Sequence, residues 1–444
     1  MRKTRSYMFY RMLIPAMLVS SVSSAQTSSA DSLLQDASLP NVIQYALKRQ
    51  PLIQQSLLDE EITRLQVKSR LADWYPQVNF NYLLQHNFEV QTNIIGGNPV
   101  KLGVDNTSAF QFGATQTIFN RDVLLALRSR NDVQLQTRQQ TTSNKIDLVV
   151  NVSKSFYAVL ATQQQIKVVQ ETITRLERSL RDSRAAYDAG VADKTDYKRA
   201  TIALNNAIAT KKATEENLKA NIELLKASMN YPATGQLNIA YDSATLENAI
   251  PQDTLAMVDL AGRIEYQQLQ TVKRLQEANL KYNKWSFIPT LSANGAYNFN
   301  YLNDQFSKLY STSYPASWVG ITLGLPIFQG GKRKYNIKVA EFQLKRVDLD
   351  IVNLQNNVNA EYTSAMAAYK SNLANYLAVK ENVQLAQEVY DVINLQYRSG
   401  IKAYLEVITA ETDLRTAQIN YFNALYTVLS SKIDVQRALG TIQY

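Results

Sequence analysis

Two stretches of this chain, 121–189 and 332–399, run for nearly seventy residues each without a glycine or a proline. Both end on the same punctuation: Tyr187 stands three residues before Gly190, and Tyr397 three before Gly400. At about 1.5 Å per residue, a run of that length makes about 100 Å of helix. Such a helix is not stable alone and needs neighbours along its whole extent. The second punctuation follows the first by 210 residues, which divides the chain into two similar halves. That spacing points to an internal repeat.

The pattern inside the runs says what the neighbours are. In the first, Val149, Val152, Phe156, Val159, Gln163, Ile166, Val169, Ile173, Leu176, Leu180, Ser183 and Tyr187 step by three or four, alternating except at Ile166–Val169. This is the seam of a coiled coil. The second seam is rougher, through Tyr369, Leu373, Tyr376, Val383, Ala386, Val389, Ile393 and Tyr397. Past each glycine a turn of a few residues leads into a second run. One carries Leu204, Ile208, Leu218, Ile222 and Leu225; the other carries Leu405, Ile408, Leu414, Tyr421, Leu425, Val428, Val435 and Leu439. A turn that short folds each second run back antiparallel on its long partner.

Ahead of each long run the apolar period falls from about 3.6 to 2. Val78, Phe80, Tyr82 and Leu84 alternate with Gln77, Asn79, Asn81 and Gln85, and Phe110, Phe112, Ala114 and Ile118 with Gln111, Gly113, Thr115 and Thr117. In the second half Leu291, Ala293, Ala296 and Tyr297 alternate more weakly with Asn294, Asn298 and Asn300. Trp318 then opens a cleaner run through Val319, Ile321, Leu323, Leu325 and Ile327, with Pro326 expected in its last turn. Strands of this length span an outer-membrane hydrocarbon layer when tilted. A hairpin of a soluble sandwich has the same local alternation.

The expected order is therefore a first repeat, 26–230, with a helix over 41–73, a strand pair over 77–119, a long helix over 121–189 and a helix over 193–229. Pro51 should kink the first of these helices or sit in its first turn. A linker, 231–262, joins it to a second repeat, 263–439, with a helix over 263–284, a strand pair over 289–328, a long helix over 332–399 and a helix over 403–439. A short tail, 440–444, remains. Residues 1–25 have the form of a signal peptide: Arg2, Lys3, Arg5 and Arg11, the apolar stretch 13–19, and small residues up to Ala25. Its removal lowers the net charge from +9 to +5, and the chain has no cysteine. Stability outside the cytoplasm must then come from size, packing or assembly rather than disulfides.

Four strands do not close a membrane barrel, and a lipid-exposed edge is not tolerated. Several copies must share one barrel: eight strands from two copies, or twelve from three.

Signals for chemistry are weak. His86 is the only histidine. The GGKRK stretch, 330–334, lacks the earlier glycine of a phosphate loop and has Arg333 where Ser or Thr would hold magnesium. Asn106-Thr107-Ser108 matches a glycosylation signal, Glu215 and Glu216 read as a solvated helix face, and there is no nucleophile constellation. No enzyme activity, cofactor, metal or nucleic-acid partner is expected.

The stretches YRSGIKAYLEVITAETDL (397–414) and YDAGVADKTD (187–196), the terminal ALG (438–440) and the doubled strand–long-helix order resemble the TolC-like outer-membrane efflux proteins. That resemblance implies a mixed fold, a membrane β-barrel continued by a long α-helical coiled-coil barrel, shared by a homotrimer in the outer membrane with a large periplasmic portion. It implies a passive exit duct that meets a periplasmic adaptor and an inner-membrane pump of the RND, ABC or a related type. Loops 87–107 and 302–315 would face outside, and 231–262 would join a belt around the tunnel. Tyr187, Gly190, Tyr397 and Gly400 would mark adaptor-docking tips. By position, Thr195 and Asp196 match constraint residues of the closed tip. Tyr397 and Lys402 match a tyrosine and an arginine that link helices there, which makes Asp196 and Lys402 candidate cross-helix partners. Glu406 matches an acidic ring, and Thr409 falls where a second acid is expected. The rival readings are an exported trimeric coiled-coil adhesin and a periplasmic scaffold without transport.

Overall fold

The computed structural model describes residues 34, 36–239, 243–253 and 257–444. The expected signal peptide lies outside the described residues. Helix α1 (Leu39–Arg49) and helix α2 (Pro51–Ala72) replace the single helix expected over 41–73. Gln50 between them is extended, at φ −64° and ψ 123°, because a residue before proline is pushed out of the α region. Strand β1 (Gln77–His86) follows, then a small hairpin of β2 (Thr92–Ile95) and β3 (Asn98–Lys101), and strand β4 (Asn106–Phe119). The hairpin lies inside the stretch read as loop 87–107. It turns on Gly96 and Gly97, at φ +61° and +83°, the positive pair a tight hairpin needs.

Helix α3 (Arg121–Asp188) is 68 residues long and is capped by the Asn120 side chain, which accepts from the amide of Asp122. It turns at Gly190 into α4 (Lys194–Met229). The connecting segment contains a short helix, α5 (Ser243–Asn248), before α6 (Ile264–Lys284). Strands β5 (Thr290–Asn303) and β6 (Ser313–Gly324) lead to the 67-residue helix α7 (Lys332–Arg398) and to α8 (Tyr404–Leu439). The strand expectation ran too far at its end and too short at its start. Pro326 lies beyond β6, whose ladder ends at Gly324 and reaches back to Ser313, with Pro315 inside it because β6 is an edge strand.

The four long strands form one antiparallel sheet in the order β1-β4-β5-β6, so the two halves of the chain meet at β4 and β5. Register puts Phe80 beside Phe112 and Tyr82 beside Phe110, and continues through Tyr297 and Phe299. Ala296 falls on the opposite face from Tyr297, against its place in the expected apolar alternation. One sheet face is therefore apolar and exposed, with Val78 at 71%, Val319 at 90% and Ile321 at 72%. Among the described residues no helix is long and apolar enough to cross a membrane.

The main core lies midway along the helices. There Val152, Phe156 and Val159 of α3 meet Leu225 and Met229 of α4, Tyr369 and Tyr376 of α7, and Leu425 and Val428 of α8. Val42 and Ala46 of α1 and Tyr231, Leu237 and Ile250 of the linker complete it. The linker is clasped rather than merely adjacent. Tyr369 donates to the Ile250 carbonyl (2.9 Å), Lys432 to the carbonyls of Ala249 and Pro251, and Lys380 to Glu247 (2.6 Å).

None of the first seam's positions is exposed, from Val149 to Tyr187. The second seam slips by one residue. Val389 is exposed while Tyr390 turns inward beside Ile393 and Tyr397. In α4 the buried residue is Ala207 rather than the exposed Ile208, because close helix approach favours the smaller side chain.

Candidate functional site at the helix-hairpin tips

The two hairpin tips are built alike. Gly190 and Gly400 both take the left-handed conformation, at φ +72° and +73°. At the first tip the amide of Val191 donates to the Ala186 carbonyl (3.0 Å) and that of Gly190 to Tyr187 (2.9 Å); at the second, Ile401 donates to Gln396 (2.9 Å) and Gly400 to Tyr397 (2.9 Å). This closes the orphan carbonyls of each long helix and needs a residue without a β-carbon at the turn. The next helix starts differently at each tip. Asp193 caps α4 by accepting from the Thr195 amide (2.7 Å), and that bond holds its carboxyl below the usual range. At the second tip the equivalent position is Ala403, with no side-chain cap.

The candidate residues lie around these turns. Thr195 is exposed and Asp196 half-buried in the first turn of α4. Tyr187 packs on the Tyr197 ring at 5.1 Å between centroids, and the Arg184 guanidinium stands 4.8 Å over the same ring. Tyr397 packs on Tyr404 at 5.5 Å. Burial, and then the negative charges of Asp196 and Asp182, push the Tyr397 hydroxyl pKa up. The Asp196 charge of the first hairpin thus acts on Tyr397 of the second. Lys402 is not paired with Asp196: it bridges Glu406 at 2.7 Å, four residues along and at the start of α8. Thr409 is exposed and its hydroxyl donates to the Leu405 carbonyl of its own helix (3.0 Å).

Three residues that hold the tips together were not singled out in the sequence. Tyr404 is 1% exposed, wedged among Ala200, Val407 and Leu180, with the Ser179 hydroxyl donating to its oxygen (2.7 Å). Burial pushes its pKa up to about 12. Two turns along α8, Glu411 is 5% exposed and accepts from Arg175 of α3 (2.9 Å). Arg175 also donates to Thr172 (3.0 Å) and lies 5.8 Å from the Tyr390 ring centroid. Burial pushes the Glu411 carboxyl up against the pull of Arg175. The signal was present: Tyr404, Val407, Glu411 and Leu414 step 3-4-3, so an acid occupies a seam position.

Profile comparison matches the chain over residues 42–230 and 264–441 to the family described as outer membrane efflux protein. The chain belongs to the outer membrane efflux protein family. It is 22% identical over 433 residues to the outer membrane protein TolC of Escherichia coli (strain K12), which covers 94% of this chain and 84% of that protein. It is 24% identical to the outer membrane protein OprJ of Pseudomonas aeruginosa, over 92% of this chain and 85% of OprJ. Among solved structures the fold is similar to CusC (TM-score 0.75, 18% identity, 92% of each chain). It is also similar to the open state of the Neisseria gonorrhoeae MtrE outer membrane channel (TM-score 0.72, 18% identity, 90% of this chain and 88% of MtrE). Membership makes this chain an outer-membrane efflux channel. At the far end of the sheet, His86 Nδ1 lies 2.8 Å from the buried Asn106 side chain, which also donates to the carbonyls of Asn303 and Asp304.

Proposed function

We propose that this efflux channel is the passive exit duct of a tripartite machine, assembled as a homotrimer and gated at the periplasmic hairpin tips. The observation that carries the reading is the four-stranded sheet with an apolar outer face and two open edges, β1 and β6. Open edges are not tolerated in lipid, so neighbouring copies must pair them, and three copies give a twelve-stranded barrel. A second feature agrees with neighbours along the helices. On α7, Leu385, Val389, Val392 and Leu395 make an exposed apolar stripe at helical spacing, which another copy would cover.

Each copy then contributes two repeats, 26–230 and 263–439, each with two membrane strands and one long hairpin, after a signal peptide over 1–25. The segment 231–262, clasped to α7 and α8, joins the belt at mid-length. The tips at Gly190 and Gly400, with Tyr187 and Tyr397, are where a periplasmic adaptor docks and couples the duct to an inner-membrane pump. Thr195, Asp196, Tyr397, Lys402, Glu406 and Thr409 form the constriction. With Lys402 tied to Glu406, the links between hairpins are Asp196 near Tyr397, Ser179 to Tyr404 and Arg175 to Glu411. Opening is a splaying of α7 and α8 away from α3 and α4, in which packed helices slide below the fixed belt. Energy comes from the pump.

Native mass spectrometry of the detergent-extracted full chain tests the assembly. Three copies are expected; a monomer or dimer that conducts ions would refute the shared twelve-stranded barrel.

A further inference from the structure

The barrel section holds a second feature that the tips do not explain. None of the four long strands contains an Asp, Glu, Lys or Arg. The sheet face opposite the exposed apolar one is lined by carboxamides in lateral register. Asn81, Gln111, Asn298 and Ala316 stand side by side across β1, β4, β5 and β6. One level nearer the helices the row is Asn79, Gly113, Ala296 and Trp318. Small residues surround the indole. A β-carbon on Gly113 would meet nothing within 4 Å, and one on Gly320 would meet the Trp318 ring at 3.9 Å. Trp318 thus stands exposed over small neighbours, with carboxamides in the adjoining row. Part of this face is held in place, since Asn294 donates to Thr322 (2.9 Å) and Asn300 to the Tyr314 carbonyl (3.2 Å). The carboxamide oxygen of Asn298 is buried and has no hydrogen-bond partner in the protein, which leaves its amide group as the part that faces outward.

Chemistry fixes what such a surface takes. Carboxamides donate and accept hydrogen bonds without net charge, and an exposed indole offers an apolar face. A lining with no ionised group builds no potential that concentrates ions of one sign, unlike a ring of carboxylates. We propose that the Asn81–Gln111–Asn298 row and the exposed Trp318 indole form a solute-contacting site inside the barrel. It engages uncharged, hydroxyl-rich solutes and leaves ions unsorted by charge. The inference rests on the barrel reading above, which turns the carboxamide face to the lumen.

The natural absence of cysteine allows a direct test in the full-length protein in its membrane. Single variants Asn81→Cys, Asn298→Cys and Phe80→Cys are exposed to a cationic and an anionic methanethiosulfonate, with maltohexaose as the uncharged probe. Asn81→Cys and Asn298→Cys should react with both reagents, their rate ratio within about threefold of that for free cysteine, because a neutral lining creates little field. Phe80→Cys, facing lipid, should stay silent. Maltohexaose should slow modification of Asn298→Cys, and adding Trp318→Ala should remove that protection. A rate ratio displaced by more than about tenfold, the effect of a charged lining, overturns the inference and leaves the barrel standing. Absence of maltohexaose protection does the same. Reaction at Phe80→Cys with silence at Asn81→Cys overturns the barrel reading itself.

Discussion

The Arg175–Glu411 pair gives the sharpest test of how the tips are held. Glu411 is 6% and Arg175 23% exposed in their side chains, and the pair joins α3 to α8. Replacing Glu411 by alanine leaves the guanidinium with Thr172 and the Tyr390 ring but without a counter-charge. Removing one partner of a buried ion pair costs about 3–5 kcal/mol. Because Arg175 keeps some contact with water, the lower end applies, about 3 kcal/mol, or about a 150-fold rise in local opening. Hydrogen exchange of the amides over 404–414, measured by mass spectrometry in detergent, reads that opening directly. Exchange at the main core, around Tyr369 and Leu425, should stay unchanged. The double variant Arg175→Met/Glu411→Leu removes both charges and should recover most of the protection, since an apolar pair of similar volume is often neutral there. Unchanged exchange in Glu411→Ala, or a double variant as open as the single one, would refute the claim that this ion pair holds the hairpins together.

The other expectations concern neighbouring parts of the same device. The Tyr404 hydroxyl has a native pKa of about 12 against an ordinary 10.0, so folding favours its neutral form. Its contribution is complete below pH 10, declines between 10 and 12 and is lost above, a total of about 2–3 kcal/mol; tip exchange should accelerate across that window, and Tyr404→Phe should remove the step. Gly190→Ala and Gly400→Ala should each cost about 1–2 kcal/mol through the left-handed backbone alone, since no atom lies within 4 Å of either added carbon; faster protease cleavage at the turns would register it. Tyr369→Phe removes a buried hydrogen bond to the linker and should cost about 1–2 kcal/mol, seen as cleavage within 243–253 before any loss of the helices.

Much of this architecture could be read from residue order. Two glycine- and proline-free runs can only be long helices, and period-2 alternation before each run located the four sheet strands. Resolution failed where side-chain size or partner choice decides. Ala207 displaces Ile208 from the α3–α4 contact because small residues permit close approach, and Tyr390 displaces Val389 because the second seam is irregular. The Gly96-Gly97 turn carried a hairpin signal, but its flanking strands are four residues each, too short to show an alternation. At the tips, position alone indicated Asp196 and Tyr397, and the Asp196 charge acts on the Tyr397 hydroxyl across the two hairpins. Position could not show that Lys402, in the turn, bridges Glu406 in the first turn of α8, nor that Glu411, at an apolar seam position, has its partner on a different hairpin. Pairing between distant segments is a tertiary property, and a seam written along one helix does not name the residue across it.

The duct reading requires that this chain alone make a water-filled passage closed at its helix tips. Single-channel recording of the purified full-length protein in a planar bilayer, with Glu411→Ala beside the parent, addresses it most directly. The expected result is discrete current steps without any pump or nucleotide, small in the parent and larger in the variant as the hairpins loosen. Folded, membrane-inserted protein that gives no steps in either form would contradict the duct. Equal conductance in both would contradict the gate.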